Sequence, residues 1–164
     1  MPLRQPQIAD KETVLKMMRE FEQADSAHDG SFWEPEDFVY EDWLDSNAQM
    51  EMGLNIPVTW VPSIQLVAFD EKEEALGFVS LRLRLNQQLK EKGGHIGYSV
   101  RPSQRGKGYA KAMLAEAVQI AQNKGIKDIL VTCHSDNKAS RAVILANGGQ
   151  LEDIRHQTER YWIT

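Results

Sequence analysis

Cysteine is nearly absent. Cys133 is the one cysteine in 164 residues, which excludes an internal disulfide framework and a multi-cysteine zinc site. Cys133-His134-x-Asp136 has no recognised zinc spacing, and His28, His95 and His156 are scattered, so no metal is expected. Long apolar runs are lacking too. No window approaches the roughly 20 apolar residues of a membrane span, and the N-terminal stretch through Pro6 has no signal-peptide core. A cytoplasmic protein with no membrane partner is expected. Positive charge is in deficit, with 19 Lys+Arg against 24 Asp+Glu and a net charge of -5. A general nucleic-acid binder needs a basic surface, so that class is set aside. Repeats, low-complexity tracts and Gly/Ser linkers are also missing, and residues 1–164 are read as one domain. What remains is 41% hydrophobic and 26% charged, the balance of a globular chain long enough to bury a core.

Residues 3 to 8, flanked by prolines, read as an edge strand. Asp10 reads as the N-cap of a first helix to about residue 25, with Val14, Met17, Met18 and Phe21 at helical spacing. Ser26 to Ser31, with Asp29-Gly30, reads as a loop. A second helix is expected from Pro35, carrying Phe38, Val39 and Trp43 and ending before Gly53; residues 53 to 63 read as irregular. From Ser63 the period becomes two. Ile64, Leu66 and Ala68 form one strand. Val79, Leu81, Leu83 and Leu85, alternating with Ser80, Arg82 and Arg84, form its antiparallel partner. Gln87 to Gly94 reads as a polar loop, and His95 to Arg101 as a further strand stopped by Pro102.

Ser103 to Tyr109 then opens a long amphipathic helix through Ala110, Met113, Leu114, Ala117, Val118 and Ala121, closed by Gly125. Ile129 to Val131 is a short buried strand. Asp136 or Asn137 caps a helix through Ala146, and strands from Leu151 and over 160–163 close the chain. Strand, glycine turn, helix and strand over 95–131 make a βαβ unit, so the fold class is α/β with a mixed sheet.

A glycine turn between a strand and a helix start suits a pyrophosphate. The first helical N–H groups have no intrahelical partner, and the helix dipole adds partial positive charge. Gly106 and Gly108 admit an anion to the backbone, and Arg105 and Lys107 add full charges. A solvated turn with a glycine cap is the alternative. No P-loop run G-x-x-x-x-G-K-S/T exists, and Lys111 stands where a dinucleotide fingerprint needs its third glycine or alanine.

Arg105-x-x-Gly108-x-Ala110 resembles the Q/R-x-x-G-x-G/A signature of the GNAT superfamily of N-acetyltransferases. Gly97-Tyr98-Ser99-Val100-Arg101-Pro102 is similar to that family's fourth strand. Asn137-x-x-Ser140 and Gly148 are similar to the two ends of its last main helix. Gly93 to Tyr98 and Arg160-Tyr161-Trp162 resemble a bacterial subgroup. The resemblance implies a single-domain, splayed sheet flanked by helices, with acetyl-CoA as cosubstrate between the strands at 95–101 and 127–133. It implies that the backbone of Val100 and Arg101 holds the pantetheine arm. The N–H groups of Gln104, Arg105, Gly106, Lys107, Gly108, Tyr109 and Ala110 would hold the pyrophosphate. Asn137, Ser140 and Arg141 would contact the cofactor from the other side, though Asn137 and Ser140 also suit local helix capping. A homodimer is allowed by analogy with the family.

The implied reaction moves acetyl directly to a primary amine of a small molecule or peptide. Many family members carry an acidic tyrosine seven residues after the asparagine; here that position is Ile144. This departure favours, as the alternative, a non-catalytic acyl-CoA-binding sensor or interaction module. His95 is the candidate base, since its ordinary pKa lies near 6.5, with a structural histidine as the competing reading. Tyr98 is a candidate donor in the substrate pocket or an inward core tyrosine. Cys133 reads as a small buried core residue rather than a nucleophile. The acceptor would be shaped by residues 21 to 60. Phe32, Trp33, Trp43 and Trp60 beside Glu34, Glu36, Asp37, Glu41 and Asp42 suit a cationic amine, although an acidic solvated helix with core tryptophans accounts for the same pattern.

Overall fold

The computed structural model describes residues 2–164. Among these residues seven strands and five helices follow one another: β1 (Leu3–Arg4), α1 (Lys11–Gln23), α2 (Tyr40–Met52), β2 (Ser63–Phe69), β3 (Ala75–Arg82), α3 (Gln87–Glu91), β4 (Ile96–Val100), α4 (Tyr109–Asn123), β5 (Ile129–His134), α5 (Lys138–Ala146), β6 (Gln150–Arg155) and β7 (Thr158–Ile163). Short 3-10 turns precede α1 and follow β4.

The helices form where apolar spacing demands burial. Val14, Met17, Met18 and Phe21 give α1 one buried stripe, and Met113, Leu114, Ala117 and Ala121 do the same for α4. Asp10 occupies the N-cap position of α1, but its carboxylate does not cap that helix. It accepts both guanidinium nitrogens of Arg4, at 2.7 and 2.9 Å, and the Gln7 N–H at 2.8 Å. The second helix starts at Tyr40 rather than Pro35. Asp37 sits in the left-handed region at φ 55°, where a right-handed helix cannot pass. Gly53, at φ 74°, closes α2 as expected.

The β2–β3 hairpin is in the expected register region but ends earlier, at Arg82. The run expected as a loop from Gln87 contains α3, because Asn86 Oδ1 accepts the Leu89 N–H at 2.9 Å and caps it. At the C-terminus, His156 and Gln157 both take positive φ and join β6 to β7 in a two-residue turn.

The strands split into two sheets of order β1-β2-β3-β4 and β5-β7-β6, and the ladders within each are antiparallel. The expected splayed α/β arrangement is thus present. No ladder joins β4 to β5 among the described residues. The two sheets meet where the His95 N–H donates to Leu130 O at 2.8 Å and the Leu130 N–H donates to His95 Nδ1 at 3.0 Å. Gly94 permits this crossing, since a Cβ there would lie 2.3 Å from Leu130 O. One core cluster lies under α4 between the two sheets. A second, aromatic cluster packs α1, Trp33 and Trp43 on the other face of β2 and β3, against Val67, Phe69 and Phe78.

Candidate active site

Beyond the His95–Leu130 contact, a cleft of about 790 Å³ opens between the sheets. Its walls come from β4, the glycine turn, β5 and the start of α5. The backbone supplies the chemistry on two sides. Arg101 N–H donates to Leu76 O and Arg82 N–H to His95 O, so the odd-numbered residues of β4 face β3. The alternation of an antiparallel ladder then turns the N–H and C=O groups of Tyr98 and Val100 toward the cleft.

The glycine turn supplies the other side. Gly106 and Gly108 both take positive φ, at 77° and 83°, and a Cβ on either would meet nothing within 4 Å. Glycine is needed there for conformation, not for space. Ala112 N–H makes the first helical bond, to Gly108 O at 3.4 Å. The six N–H groups from Gly106 to Lys111 therefore have no protein acceptor among the described residues. The Arg105 guanidinium braces this turn, with Nε donating to Val100 O at 3.0 Å and Nη2 to Ser26 Oγ at 2.8 Å. Lys107 reaches Gln104 Oε1 at 3.1 Å and leaves the cleft wall, so it offers its backbone rather than its ammonium.

Opposite the turn, Asn137 Oδ1 accepts the Ser140 N–H at 3.0 Å and caps α5. Ser140 Oγ in turn meets Tyr98 OH at 2.9 Å, which ties α5 to β4 across the cleft. Burial pushes the Tyr98 phenol above its ordinary pKa, so it keeps its proton at neutral pH. Cys133 lines the same cleft. Burial, with the nearby Glu159 carboxylate, raises its thiol to about 11, which leaves little thiolate for a nucleophile.

Three residues read as site candidates do not come to the cleft. Arg101 points to α1, donating to Glu20 Oε1 at 2.9 Å and Ala75 O at 3.2 Å, while its N–H is held by Leu76. Arg141 is held by Glu159 at 2.8 and 2.7 Å. His95 is 6% exposed and lies outside the cleft wall. Its Nδ1 already accepts the Leu130 N–H, so a neutral ring must carry its proton on Nε2 and has no lone pair left for a base. Burial, and then the Arg82 charge, lower its pKa and keep it neutral. Ile144, where the family tyrosine would stand, is fully buried in the core.

The aromatics of residues 21 to 60 divide between core and cavity, as the reading of core tryptophans has it for two of them. Trp33 and Trp43 belong to the aromatic core cluster, and none of the acids from Glu34 to Asp42 lines a cavity beside the cleft. The adjoining cavity keeps Phe32 and Trp60 of the expected aromatics, with Asp29, Gly30 and the polar ends of β2 and β3. Gly30 crosses over the sheet so closely that a Cβ would lie 2.7 Å from Gly97 O, and Ser99 Oγ donates to Asp29 O at 2.6 Å. Asp29-Gly30 was visible in the sequence as a turn signal, without any sign that it packs on β4.

Among the described residues no cluster of His, Cys, Asp or Glu has the makings of a metal site, and no helix is long and apolar enough to cross a membrane. A chimera built from the Vibrio cholerae spermidine N-acetyltransferase matches with a TM-score of 0.65 at 16% identity, covering 99% of this chain and 96% of that one. A phosphinothricin acetyltransferase from Sinorhizobium meliloti in complex with acetyl-CoA matches at 0.61 and 20% identity, covering 98% and 86%. An acetyl transferase from Salmonella typhimurium, which modifies the N-terminal serine of a 50S ribosomal subunit protein, matches at 0.66 and 18%, covering 98% and 92%. Among curated sequences, a glycine dehydrogenase (decarboxylating) from Stenotrophomonas maltophilia is 32% identical over 129 residues. That match covers 70% of this chain and only 13% of the dehydrogenase. Residues 1–150 match the family described as acetyltransferase (GNAT) domain, and with the split sheet and glycine turn in place the chain belongs to the GNAT family of N-acetyltransferases.

Proposed function

We propose that the protein transfers acetyl from acetyl-CoA directly to a primary amine. The run of six unpartnered N–H groups from Gly106 to Lys111, beside the open edge of β4, carries this reading. Such a run fits a pyrophosphate, which offers several anionic oxygens to backbone donors at a helix start. The N–H groups of Gly106, Lys107, Gly108, Tyr109, Ala110 and Lys111 would hold it, whereas those of Gln104 and Arg105, also expected there, are given to Arg101 O at 2.9 Å and Pro102 O at 3.5 Å. The N–H and C=O groups of Tyr98 and the N–H of Val100 fit an amide-bearing pantetheine arm, laid along β4 as an added strand, while Val100 O is taken by Arg105. Arg101 and Arg141 have no part in this assignment, and Asn137 and Ser140 border the opposite wall.

Acetyl-CoA supplies a thioester whose carbonyl carbon the neutral amine attacks, so that a C–N bond forms as the C–S bond breaks. An N–H of β4 donates to the thioester oxygen as negative charge develops there. The Tyr98 hydroxyl, protonated and linked to Ser140, is the donor nearest in kind to the missing tyrosine at Ile144. It gives a proton to the departing sulfur and takes back the proton that the acetylated nitrogen loses, directly or through water, so the phenol is restored and CoA leaves as the thiol.

Calorimetry with acetyl-CoA tests the binding step, and release of free CoA thiol across an amine panel tests the chemistry. No binding at about millimolar acetyl-CoA would overturn the reading. Binding without turnover on any amine would favour an acyl-CoA-binding sensor, which the burial of Ile144 in place of the acid makes the competing reading.

A further inference from the structure

One face of the β2–β3 hairpin changes character along its length. Val67, Phe69 and Phe78 pack into the aromatic cluster. Further along, Ser63 stands opposite Arg82 and Gln65 opposite Ser80. Cross-strand partners share a face, so these four form one polar patch. The patch floors a cavity of about 530 Å³, beside Phe32 and Trp60, whose rings meet edge to face at 6.3 Å. Polar side chains buried on a hairpin cost stability unless they find partners.

Several of these groups lack partners. Gln65 is 8% exposed, and its Nε2 faces three carbonyl oxygens, of Gly30, Leu66 and Val79, at 2.8, 3.1 and 3.2 Å. That fixes the orientation of the amide and leaves Oε1 without a donor. Ser31 Oγ and Asn47 Nδ2, from the same cavity wall, are buried and have no hydrogen-bond partner among the described residues. Arg82 Nη1 donates to the carbonyl oxygens of Gly93 and Gly94 at 2.9 and 3.3 Å. Its Nη2 has no acceptor, and no carboxylate pairs with it among the described residues. Burial lowers the pKa of Arg82, opposed by the charge of Asp29, as befits a cation short of a counter-ion.

Position then limits what the counter-ion is. Arg82 lines both the cavity and the cleft, together with Asp29, Gly30 and Lys92, so it stands where the two spaces join. An anion held there lies where the cavity opens into the cleft. We propose that the cavity is the acceptor site and that the acceptor is an α-amino acid with an uncharged side chain, its carboxylate held by Arg82. This rests on the transferase reading above. One carbon separates the carboxylate from the amine in such a molecule, so anchoring the first delivers the second to the cleft. The side chain enters the cavity, where Phe32 and Trp60 offer apolar area and Gln65 Oε1, Ser31 and Asn47 offer hydrogen bonds. A polyamine has no group for Arg82, and although Asp29 would attract it, Arg82 and Lys92 at the same junction repel it.

Methionine and glutamine, their carboxamides, and spermidine form the test panel. Each is titrated calorimetrically into the protein, and CoA thiol release is followed with acetyl-CoA present. The free acids should bind and react, with the carboxamides at least about tenfold weaker, a loss of about 1.4 kcal/mol. Arg82→Gln should raise KM for the acids about tenfold or more while leaving that of the carboxamides within about twofold. Arg82 also steadies the Gly93–Gly94 loop, so Arg82→Lys serves as the folded control that keeps the charge and part of the affinity. Equal binding and turnover of acid and carboxamide, or reaction with spermidine alone, overturns the amino-acid assignment and leaves the transferase reading standing. Failure to bind acetyl-CoA overturns both.

Discussion

His95 and Leu130 exchange two hydrogen bonds, from backbone N–H to backbone O in one direction and from backbone N–H to ring Nδ1 in the other. This pair joins the two sheets where no ladder does, beside a bond from the Gly93 N–H to Thr132 Oγ1 at 2.9 Å. His95→Ala leaves a buried N–H without an acceptor and should cost about 1–3 kcal/mol in urea unfolding. The folded pKa of His95 lies below its unfolded value, so the unfolded chain binds the extra proton first. The contribution is present above pH about 6.5 and is lost as pH falls toward the lowered value. Thermal melts at pH 8 and pH 5 should therefore diverge less for the variant than for the native protein. A His95→Ala protein that keeps its stability but loses kcat would return the ring to the chemistry.

Gly108 gives a cleaner separation of folding from binding. A Cβ there meets open space, so the cost of Gly108→Ala is conformational, about 1–2 kcal/mol. Gly108→Glu carries the same strain and adds bulk and negative charge among the N–H groups of the turn. Its melting temperature should match that of the alanine variant, whereas its Kd for acetyl-CoA rises more than about tenfold. Equal affinities for the two variants would contradict the pyrophosphate assignment.

Tyr98→Phe removes the proposed proton donor and one end of the bond to Ser140. A kcat about 10²-fold lower, with acetyl-CoA affinity nearly unchanged, is expected from general-acid loss. Ser140→Ala should cost less, because the phenol remains. An unchanged kcat in a folded Tyr98→Phe protein means that the thiolate leaves unassisted.

Glu159 accepts from Arg141 and from Tyr161 OH, and these partners hold its carboxyl down to about 2. Its folded pKa is lowered, so its stabilisation is present above the ordinary carboxylate range. It fades as pH falls from about 4.5 toward about 2. Glu159→Gln should flatten the acid limb of a stability–pH curve over that window. The same carboxylate also helps keep Cys133 as a thiol. Alkylation of Cys133 at pH 8 should therefore be slow in the native protein and faster in the glutamine variant.

Much of this architecture was legible where the signal is local. The stripes of α1 and α4 and the capping of α5 by Asn137 depend on residues within a few positions of one another. So do the positive-φ glycines before α4. The start of α2 was not legible, because the backbone turn at Asp37 leaves no trace in apolar spacing. Likewise α3 is a polar run whose only marker is the Asn86 cap. The site failed where distance in sequence decides the partner. His95 finds its hydrogen bond 35 residues away at Leu130, and Arg141 finds Glu159 18 residues away. The polar patch of Ser63, Gln65, Ser80 and Arg82 exists only once the hairpin register pairs them. For the tryptophans and acids of residues 33–43, a binding surface and an acidic helix with core tryptophans fit the same pattern, because composition cannot tell a core aromatic from an exposed one; Trp33 and Trp43 lie in the core.

A sheet divided along one seam and fastened at one end behaves as a pair of jaws. Opening should be least beside Gly94, where backbone meets backbone, and greater toward Val100, past the Tyr98–Ser140 bond. Amide exchange should follow that gradient, with the Leu130 amide among the slowest and those of Tyr98 and Val100 among the fastest in the strands. A ligand laid along the open edge of β4 would act as the missing rung of the ladder. Protection gained on binding should then be largest at Tyr98 and Val100, and the Leu130 amide should hardly change.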